Sequence, residues 1–402
     1  MRGSVGIAGA GVAGLACATL LRTRGWQVTV FDKAPQPAPV GSGLILQPVG
    51  LHVLGAMGLR DTMAGLGAPI ERLHGTSGGR VVLDVRYDAL GPGAACGLAV
   101  HRGALFQVLL DAALAAGVTV ESGREVAAVD AGRLAFAGGQ RSARFDLVVD
   151  ALGTRSPLSR PPRHHLPYGA LWASLCRAGD FDPAALEQRY EAARRMAGVM
   201  PIGCLPGQAR PMTAFFWSLR HDRREAWRAA PIDAWKDQVL ALWPATAPLL
   251  EQVRSHDDLV FAAYAHRTLT SPVSPGCVHL GDSWHCTSPQ LGQGANMALL
   301  DAWALALALD GHADVAAALG DYARRRIWHV RLYQAVSRVF TPAYQSDSAL
   351  VAWVRDWILA PASRLPLAPP LLAALVAGRW GWPLLRLQPS GMGPAPGYGA
   401  DR

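Results

Sequence analysis

The pattern of apolar and polar positions near the N-terminus predicts a strand, a helix and a second strand in succession. Residues 5–8 are a short apolar run, residues 13–24 carry apolar side chains at helical spacing, and residues 26–31 form a second apolar run. Short apolar runs bounded by turn residues are typical of buried strands, and longer periodic stretches are typical of helices. This part of the chain is therefore predicted to form a strand–turn–helix–strand unit.

Similar patterns predict further elements along the chain. Helices are predicted over residues 51–57, 100–114, 183–196, 232–242 and 295–309. Strands are predicted over residues 169–175, 212–219, 259–265 and 278–280. Because helices and strands are mixed along the sequence, the predicted fold class is α/β.

The turn after the first predicted strand has the sequence Gly-Ala-Gly-Val-Ala-Gly at positions 9–14. Gly9 permits the tight turn, Gly11 lets backbone N–H groups approach a pyrophosphate, and Gly14 lets the helix pack closely on the strand. The helix N-terminus supplies partial positive charge to the phosphates. Asp32, at the end of the second strand, is placed to accept hydrogen bonds from an adenosine ribose. This arrangement predicts a dinucleotide site.

Two further segments contain residues that suit an extended anionic ligand. Gly43 precedes the sequence Leu-Ile-Leu-Gln-Pro and allows the backbone to approach a ligand closely. Arg102 lies at the start of the helix predicted over residues 100–114, where the helix macrodipole disfavours a cation. Arg102 is therefore expected to bind another partner, and a solvated arginine is the alternative.

The sequence GDSWHCTSPQLGQGANMALLDA, residues 281–302, places an acid, a proline and three glycines before or at the start of an apolar helix. Asp282 can accept a hydrogen bond from a ribityl hydroxyl, with a helix N-cap as the alternative. Pro289 forms a rigid edge without a backbone donor, and Gly292 and Gly294 expose N–H groups near a helix N-terminus. Asn296 can bond the same ring edge or cap the helix. A flat, partly anionic molecule is expected to lie on this backbone.

These motifs occur in the order seen in the group A flavin-dependent aromatic hydroxylases, the para-hydroxybenzoate-hydroxylase-like monooxygenases. The chain resembles that family over about residues 4–350. Its residues 281–302 resemble the family motif GDAAHxxxPxxGQGxNxxxxDA, which is matched at Gly281, Asp282, His285, Pro289, Gly292, Gln293, Gly294, Asn296, Asp301 and Ala302. The resemblance identifies the cofactor as FAD. It implies a Rossmann-like FAD-binding domain interleaved with a β-sheet substrate domain, plus C-terminal helices.

The resemblance also implies a function. In such enzymes reduced FAD reacts with O2 to form a C4a-hydroperoxide, which transfers a hydroxyl group to an electron-rich aromatic or quinolone-like molecule. NADH or NADPH is implied as a transient reductant. Pro289 and His285 are the candidate catalytic residues, and a structural hydrogen bond is the alternative for His285. A flavin-dependent reductase or oxidase without oxygen insertion, and a non-catalytic FAD-binding relative, are the alternative functions.

One position departs from the family pattern. Members of the family carry Ala-Asp-Gly after a strand, where this chain has Ala-Leu-Gly at residues 151–153. A turn separates Asp150 from Leu152, so the Asp150 carboxylate is not expected to replace the missing one. The missing acid argues against efficient reduction of the flavin by NAD(P)H, but it does not argue against FAD binding. Harmless drift, reduction by a separate flavin reductase and a non-catalytic relative are all open.

The motifs divide the chain into three parts. The FAD-binding domain is assigned to residues 1–70, 100–160 and 277–330, the substrate-binding sheet domain to residues 71–99 and 161–276, and a C-terminal helical cap and tail to residues 331–402. The tail is expected to cover the core rather than to contact a membrane.

Aromatic side chains in the predicted substrate strands are candidates for lining a pocket. The candidates are Phe215, Trp217 and Tyr264, although each of them also suits an ordinary core. No Ser/His/Asp set in a supporting context indicates nucleophilic catalysis.

Composition narrows the choice of partners. The formal net charge is +8, but the arginines are scattered and no basic stripe with interleaved aromatics indicates nucleic acid. The positive field suits an anionic cofactor or an acidic substrate. The six cysteines show neither CxxC nor Cys/His spacing, so neither a disulfide framework nor a metal site is expected. A cytoplasmic enzyme that acts on a small molecule and O2 is predicted, with an oligomeric state that the sequence leaves open.

Overall fold

The computed structural model describes residues 2–35, 42–160, 162 and 165–387. Its strands are β1 Ser4–Ala8, β2 Gln27–Phe31, β3 Gly43–Leu46, β4 Ala68–Ile70, β5 Arg72–Ser77, β6 Arg80–Arg86, β7 Gly97–His101, β8 Thr119–Glu121, β9 Val126–Asp130, β10 Arg133–Phe136, β11 Leu147–Asp150, β12 Tyr168–Cys176, β13 Ala185–Glu191, β14 Arg195–Pro201, β15 Met212–Arg220, β16 Val260–Ala262, β17 Arg267–Thr268, β18 Val273–Ser274, β19 Cys277–His279 and β20 His285–Cys286.

The α-helices of the described residues are α1 Val12–Arg22, α2 Pro48–Ala56, α3 Arg60–Leu66, α4 Arg102–Ala115, α5 Arg224–Ala229, α6 Ile232–Leu242, α7 Ala247–Leu250, α8 Gly294–Gly311, α9 Val315–Tyr344, α10 Ala349–Val354, α11 Ala360–Ala362, α12 Ala368–Val376 and α13 Pro383–Arg386. A π-helical turn, Arg355–Leu359, joins α10 to α11. Apart from one segment described below, the predicted elements are confirmed with shifted ends.

The first sheet has six strands in the order β18-β19-β11-β1-β2-β8. All neighbours in it are parallel except β18 and β19. Parallel strands covered on both faces are apolar along their length, and every residue of β11 is buried. Helices α1 and α8 share one core with this sheet, and the β9–β10 hairpin shares a smaller cluster with it. The predicted Rossmann-like α/β fold is confirmed.

The second sheet has seven strands in the order β16-β12-β15-β14-β13-β5-β6. Its neighbours are antiparallel except β13 and β5, which run parallel. On one face Leu171, Phe215 and Trp217 pack with Trp235 and Val239 of α6. The opposite face points toward the C-terminal helices. A third sheet has three strands in the order β3-β7-β4, and its neighbouring strands are antiparallel.

The predicted helix over residues 183–196 is wrong, because this segment forms β13 and β14. Its alanine, leucine, glutamate and arginine residues favour a helix when considered alone. In the fold, Gln188 and Tyr190 are buried in the sheet, and Ala192 turns the chain with φ +50°. Pairing of β13 with β5, and of β14 with β15, therefore outweighs the local propensity.

The C-terminal helices cover the second sheet. Ala373, Val376 and Ala377 around α12 pack in one cluster with Leu73 and Met200 of the sheet. This contact explains the cap that the sequence predicts for the C-terminal segment. The exact domain boundaries remain a prediction, and the tail beyond residue 387 lies outside the described residues.

Exposed apolar side chains concentrate in the C-terminal part of the chain. Of the fourteen large apolar side chains that are exposed among the described residues, twelve lie between Trp328 and Leu385. Within the same described ranges, no helix is both long and apolar enough to span a bilayer. Within the part of the chain that the structure describes, the C-terminal helices therefore carry most of the exposed large apolar side chains.

Gly14 is predicted to be essential for packing. A Cβ at Gly14 would stand 1.9 Å from the Gly9 carbonyl oxygen, whereas a Cβ at Gly65 in α3 would meet nothing within 4 Å. We expect Gly14→Ala to lower the stability by about 1–3 kcal/mol through overpacking. Gly65→Ala is the matched control, and it should raise the stability by about 0.5–1 kcal/mol. Scanning calorimetry measures both changes, and an unchanged Tm for Gly14→Ala would contradict the prediction.

Candidate active site and cofactor-binding surface

The glycine-rich turn between β1 and α1 is held by backbone hydrogen bonds and by one carboxylate. Gly9 has φ +103°, and its N–H donates to the Phe31 carbonyl oxygen at 2.8 Å. Asp32 accepts from the Ala10 N–H at 2.8 Å through Oδ2 and from the Ala34 N–H at 2.9 Å through Oδ1. Asp32 therefore fixes the turn from the end of β2, at the position expected for the ribose-binding acid.

Gly11 and Gly14 differ in why they lack a side chain. Gly14 is required by the packing of α1 on the turn. Gly11 is exposed, has φ −82°, and would place a Cβ in open space, with no atom within 4 Å. The fold itself therefore places no demand for glycine at position 11.

A cavity of about 760 Å³ lies between the second sheet and the C-terminal helices. Six of the predicted cofactor residues line it: Gly43, Arg102, Asp282, Pro289, Gly292 and Gly294. The residues of the first turn, Gly9, Gly11, Gly14 and Asp32, lie outside it. The two regions are neighbours, because a Cβ at Gly281 would stand 3.4 Å from the Ala13 Cβ in the first turn of α1.

The missing side chain at Gly43 is explained by protein packing. A Cβ there would stand 2.4 Å from Ile202 Cγ2 and 3.0 Å from Ala214 Cβ. Gly43 thus lets β3 lie against the second sheet, while its backbone borders the cavity. Gly292 has φ +60°, and this left-handed conformation favours glycine for its own reason.

Asn296 acts on the backbone around the cavity and does not itself line it. Its side chain is fully buried, donating to the carbonyl oxygens of Ile45 at 3.0 Å and Gly292 at 2.9 Å and accepting from the Gln47 N–H at 2.8 Å. The predicted contact of Asn296 with a ring edge is therefore corrected. Asn296 is a positioning residue that joins β3 and α2 to the start of α8.

His285 is also placed behind the cavity wall. Its Nε2 lies 2.7 Å from Asp301 Oδ2, and only 3% of the residue is exposed. The Asp301 carboxylate also accepts from the Gly281 N–H at 2.9 Å and from Arg326 Nε at 2.8 Å. The candidate catalytic role of His285 is therefore corrected to a structural one, since its ring is engaged by a buried acid.

The buried charges of this cluster compensate one another. Burial alone would raise the pKa of Asp301, but His285 and Arg326 outweigh it and lower that pKa below its ordinary value. Burial, together with Arg326, lowers the pKa of His329 well below its usual range. His329 is therefore neutral, and its Nδ1 lies 2.8 Å from Arg326 Nη1. The sequence motif includes Asp301 but gives no signal for Arg326 or His329.

The aromatic candidates of the second sheet divide between its two faces. Tyr264 lines the cavity and accepts a hydrogen bond from Trp172 Nε1 at 3.0 Å. Phe215 and Trp217 do not line it, because their side chains point to the opposite face and pack against α6. Phe216 points into the cavity instead, since successive side chains of a strand alternate between faces. The predictions for Phe215 and Trp217 are therefore corrected.

The unusual Leu152 is part of an apolar cluster. It packs against the group that contains Ala8, Phe31 and Val148. The Asp150 carboxylate is fully engaged, because it accepts from the Leu152 N–H at 3.0 Å and the Ser156 hydroxyl at 2.7 Å, and its Oδ2 lies 2.8 Å from His279 Nδ1. The Asp150 carboxylate is therefore not available to take the place of the acid that Leu152 replaces.

The Asp301 cluster predicts a specific loss of stability in acid. A carboxylate whose pKa is lowered by folding contributes stability above its unfolded pKa, and that contribution is lost as the pH falls through the folded pKa. We expect Asp301→Asn to lower the stability by about 3–5 kcal/mol, because Arg326 remains buried without its partner. The Tm of the variant should also fall less steeply than that of the wild type below about pH 4.

The control for this experiment is Asp111→Asn, at an exposed position on α4. It should leave both the Tm and its dependence on pH close to those of the wild type. Parallel pH profiles for the wild type and Asp301→Asn would show that the carboxylate is not a source of the acid sensitivity.

Comparison with known proteins identifies the family of the chain. The sequence profile of the family described as FAD binding domain matches residues 2–157 and 194–335. The 3-amino-4-hydroxybenzoate 2-monooxygenase of Streptomyces cremeus is 31% identical over 331 residues, covering 76% of this chain and 78% of the relative. The aurachin C monooxygenase/isomerase of Stigmatella aurantiaca is 27% identical over 374 residues, covering 88% of this chain and 92% of the relative.

The fold has close structural neighbours as well. A mutant form of 2-methyl-3-hydroxypyridine-5-carboxylic acid oxygenase superposes with a TM-score of 0.78 at 21% identity, covering 96% of this chain and 98% of the other. The matched profile spans the glycine-rich turn, Arg102 and the Asp282–Asn296 stretch, which are the same segments that form the site. The chain therefore belongs to the FAD-binding-domain family, as a FAD-dependent monooxygenase of the group A aromatic hydroxylase type.

Proposed function

We propose that this enzyme hydroxylates an apolar aromatic small molecule held between its cofactor-binding backbone and the second sheet. The observation that carries the proposal is the composition of the cavity walls. The Gly43 strand and the Pro289–Leu291 turn border the same cavity as the Trp172, Phe216 and Tyr264 side chains. A flat substrate in that space would lie against the cofactor ring on one side and aromatic side chains on the other.

Two features support FAD at this location. Gly11 lacks a side chain although the fold leaves room for one, as expected where a pyrophosphate approaches the backbone. The fully buried Gln47 lines the cavity beside Gly292, and its Nε2 finds no hydrogen-bond partner among the described residues. Gln47 would donate to the cofactor ring.

The proposed binding residues fall into three groups. Gly9, Gly11, Gly14 and Asp32 would hold the adenosine diphosphate half, Arg102 and Asp282 the central part, and the backbone at Gly43, Pro289, Gly292 and Gly294 the ring. Asn296 would position that backbone.

FAD, when bound, supplies the activation of O2 and the transfer of oxygen to the aromatic ring. The chain supplies orientation and exclusion of water, since the cavity is lined mainly by apolar side chains. Burial raises the pKa of Tyr264, so its hydroxyl stays protonated. Pro289 would form a rigid edge over the reacting ring. This leaves substrate orientation, rather than proton transfer by a side chain, as the main contribution of the protein.

NADH or NADPH is the proposed reductant. A separate flavin reductase is the second candidate, because Leu152 packs into an apolar cluster and the Asp150 carboxylate is fully engaged. We further propose that the enzyme acts in the cytoplasm, where a reducing environment suits its six unpaired cysteines.

Turnover of the FAD-loaded protein tests the function. We expect a phenol that fits the cavity to accelerate oxidation of NADH or NADPH and to gain one oxygen atom, as measured by absorbance and mass spectrometry. One outcome is that NAD(P)H reduces the bound flavin no faster than it reduces free flavin, while the chemically reduced protein still hydroxylates the phenol. That result would favour the separate reductase. Failure of the chemically reduced protein to add oxygen to any of a series of phenols would contradict the proposed function.

Gly11 gives a second test, directed at the cofactor. We expect Gly11→Val to weaken FAD binding about tenfold or more, because the new side chain takes the space of the pyrophosphate. The Tm of the apoprotein should stay unchanged, since a Cβ at position 11 meets no protein atom within 4 Å. Quenching of flavin fluorescence on titration of the apoprotein measures the affinity.

The matched control is Gly138→Val, at an exposed glycine where a Cβ also meets nothing within 4 Å. It should bind FAD as the wild type does. Equal affinities for Gly11→Val and the control would show that the pyrophosphate lies elsewhere.

A further inference from the structure

The cavity extends across the whole second sheet. Each of the seven strands contributes to its lining, from Val260 on β16 to Val82 on β6. With strands about 4.8 Å apart, six spacings amount to about 29 Å. The proposed cofactor residues do not account for this length. The part formed by β13 and by the chain around the π-helical turn, lined by Gln188, Tyr190, Tyr344, Arg355 and Leu359, is named here the outer chamber.

Arg355 is the buried cation of the outer chamber. It is 1% exposed, and its Cζ lies 5.1 Å from the centre of the Tyr190 ring and 5.8 Å from that of Tyr344. Its Nε donates to Asp356 Oδ1 at 2.6 Å, and its Nη1 donates to the Ala343 carbonyl oxygen at 3.0 Å. The guanidinium is therefore locked in place by two hydrogen bonds and two aromatic faces.

One nitrogen of this guanidinium lacks an acceptor. Arg355 Nη2 is buried and forms no hydrogen bond to any of the described residues. Leaving a buried donor unsatisfied costs about 1–3 kcal/mol, and more when the group is charged. An arginine that is held rigidly at a cavity wall with one free nitrogen is suited to bind a ligand oxygen.

The backbone at Arg355 is unusual as well. Arg355 begins the π-helical turn, and such turns occur frequently at functional sites. This observation is independent of the unpaired nitrogen. Both features occur at the same residue, Arg355.

The surroundings indicate which kind of oxygen would bind. Asp356 already pairs with Arg355, so a second carboxylate in this apolar chamber would be buried without a full counter-charge. Two further polar side chains of the cavity already have partners, since Asp84 pairs with Arg72 and Gln188 Nε2 donates to Met196 Sδ. A neutral acceptor fits this environment better than an anion.

We propose that Arg355 anchors the substrate by donating from Nη2 to a neutral carbonyl oxygen in the outer chamber. The substrate class is then an elongated, apolar aromatic compound that carries a ketone or amide carbonyl away from the ring to be hydroxylated. This inference rests on the proposed function and specifies its substrate. Arg355 acts in binding and takes no part in the oxygen transfer.

The test compares two phenols of nearly equal shape, 4-hydroxybenzophenone and 4-benzylphenol. The first has a carbonyl group between its two rings, and the second has a methylene group there. Binding to the FAD-loaded protein is measured by the change in the flavin absorption spectrum and by calorimetry. We expect the wild type to bind the ketone about 10- to 100-fold more tightly, as a hydrogen bond to a charged group allows. In Arg355→Met the two phenols should bind nearly equally.

The ratio of the two Kd values separates anchoring from a structural role. Damage to the chamber would weaken the binding of both phenols together, whereas loss of the hydrogen bond would weaken the binding of the ketone alone. Arg364→Met is the matched control, because Arg364 is exposed in the same segment and lies outside the cavity lining. It should keep the wild-type ratio. If Arg355→Met does not fold, Arg355→Lys keeps the positive charge beside Asp356 and should also lower the ratio.

Three results would overturn the inference: equal binding of the two phenols by the wild type, an unchanged ratio in both Arg355 variants, or binding of neither phenol. Tighter binding of the carboxylate probe 4′-hydroxybiphenyl-4-carboxylate than of the ketone would overturn the choice of a neutral acceptor. Hydroxylation of either phenol without discrimination between them would leave the monooxygenase function intact and reject the role of Arg355 alone.

Discussion

The buried carboxylate of Asp301 is the interaction on which the arrangement of the site depends. It accepts hydrogen bonds from the backbone just before Asp282 and from Arg326 of α9, and it holds the His285 ring behind the cavity wall. Three separate segments are thereby tied to one point on α8. Because the charges compensate one another in a dry interior, the cluster is stable only when all its members are present.

A second feature of the site is that polar side chains hold in place the backbone that we propose to face the cofactor. Asn296 binds the carbonyl oxygens and N–H group of the neighbouring segments, and Asp32 binds two N–H groups of the first turn. Fixed N–H groups and helix termini need no reorganisation when an anion or a polar ring binds. A fixed backbone of this kind explains why the motif is rich in glycine and proline. Of its polar side chains, Asp282 lines the cavity, whereas His285 and Asn296 do not.

The features that could be predicted from the sequence are those encoded locally. The strand–turn–helix unit with Gly9, Gly14 and Asp32 follows from periodicity and spacing. The face of the sheet to which a side chain points is not encoded locally. The three adjacent aromatic residues Phe215, Phe216 and Trp217 suit either face until the neighbouring strands are known. The prediction of a helix over residues 183–196 was wrong for a related reason, since pairing with distant strands outweighed the helical propensity of this segment.

Side-chain roles were hardest to predict where a motif residue acts through another. Asn296 and His285 belong to a motif that surrounds a flavin, yet their partners come from β3, α2 and the interior of α8. Arg355 belongs to no motif, and its environment exists only after α9, α10 and β13 have come together. Long-range burial, which no local pattern encodes, decides all three cases.

The walls of the outer chamber have a consequence for how such enzymes diverge. The matched family profile covers residues 2–157 and 194–335, and both β13 and the helices after α9 lie outside those ranges. The proposed cofactor-binding residues and the outer chamber that we propose to select the far end of the substrate thus lie on separate stretches of chain. On this proposal, new substrate preferences would arise by exchange of the outer chamber, while the cofactor-binding residues would be kept.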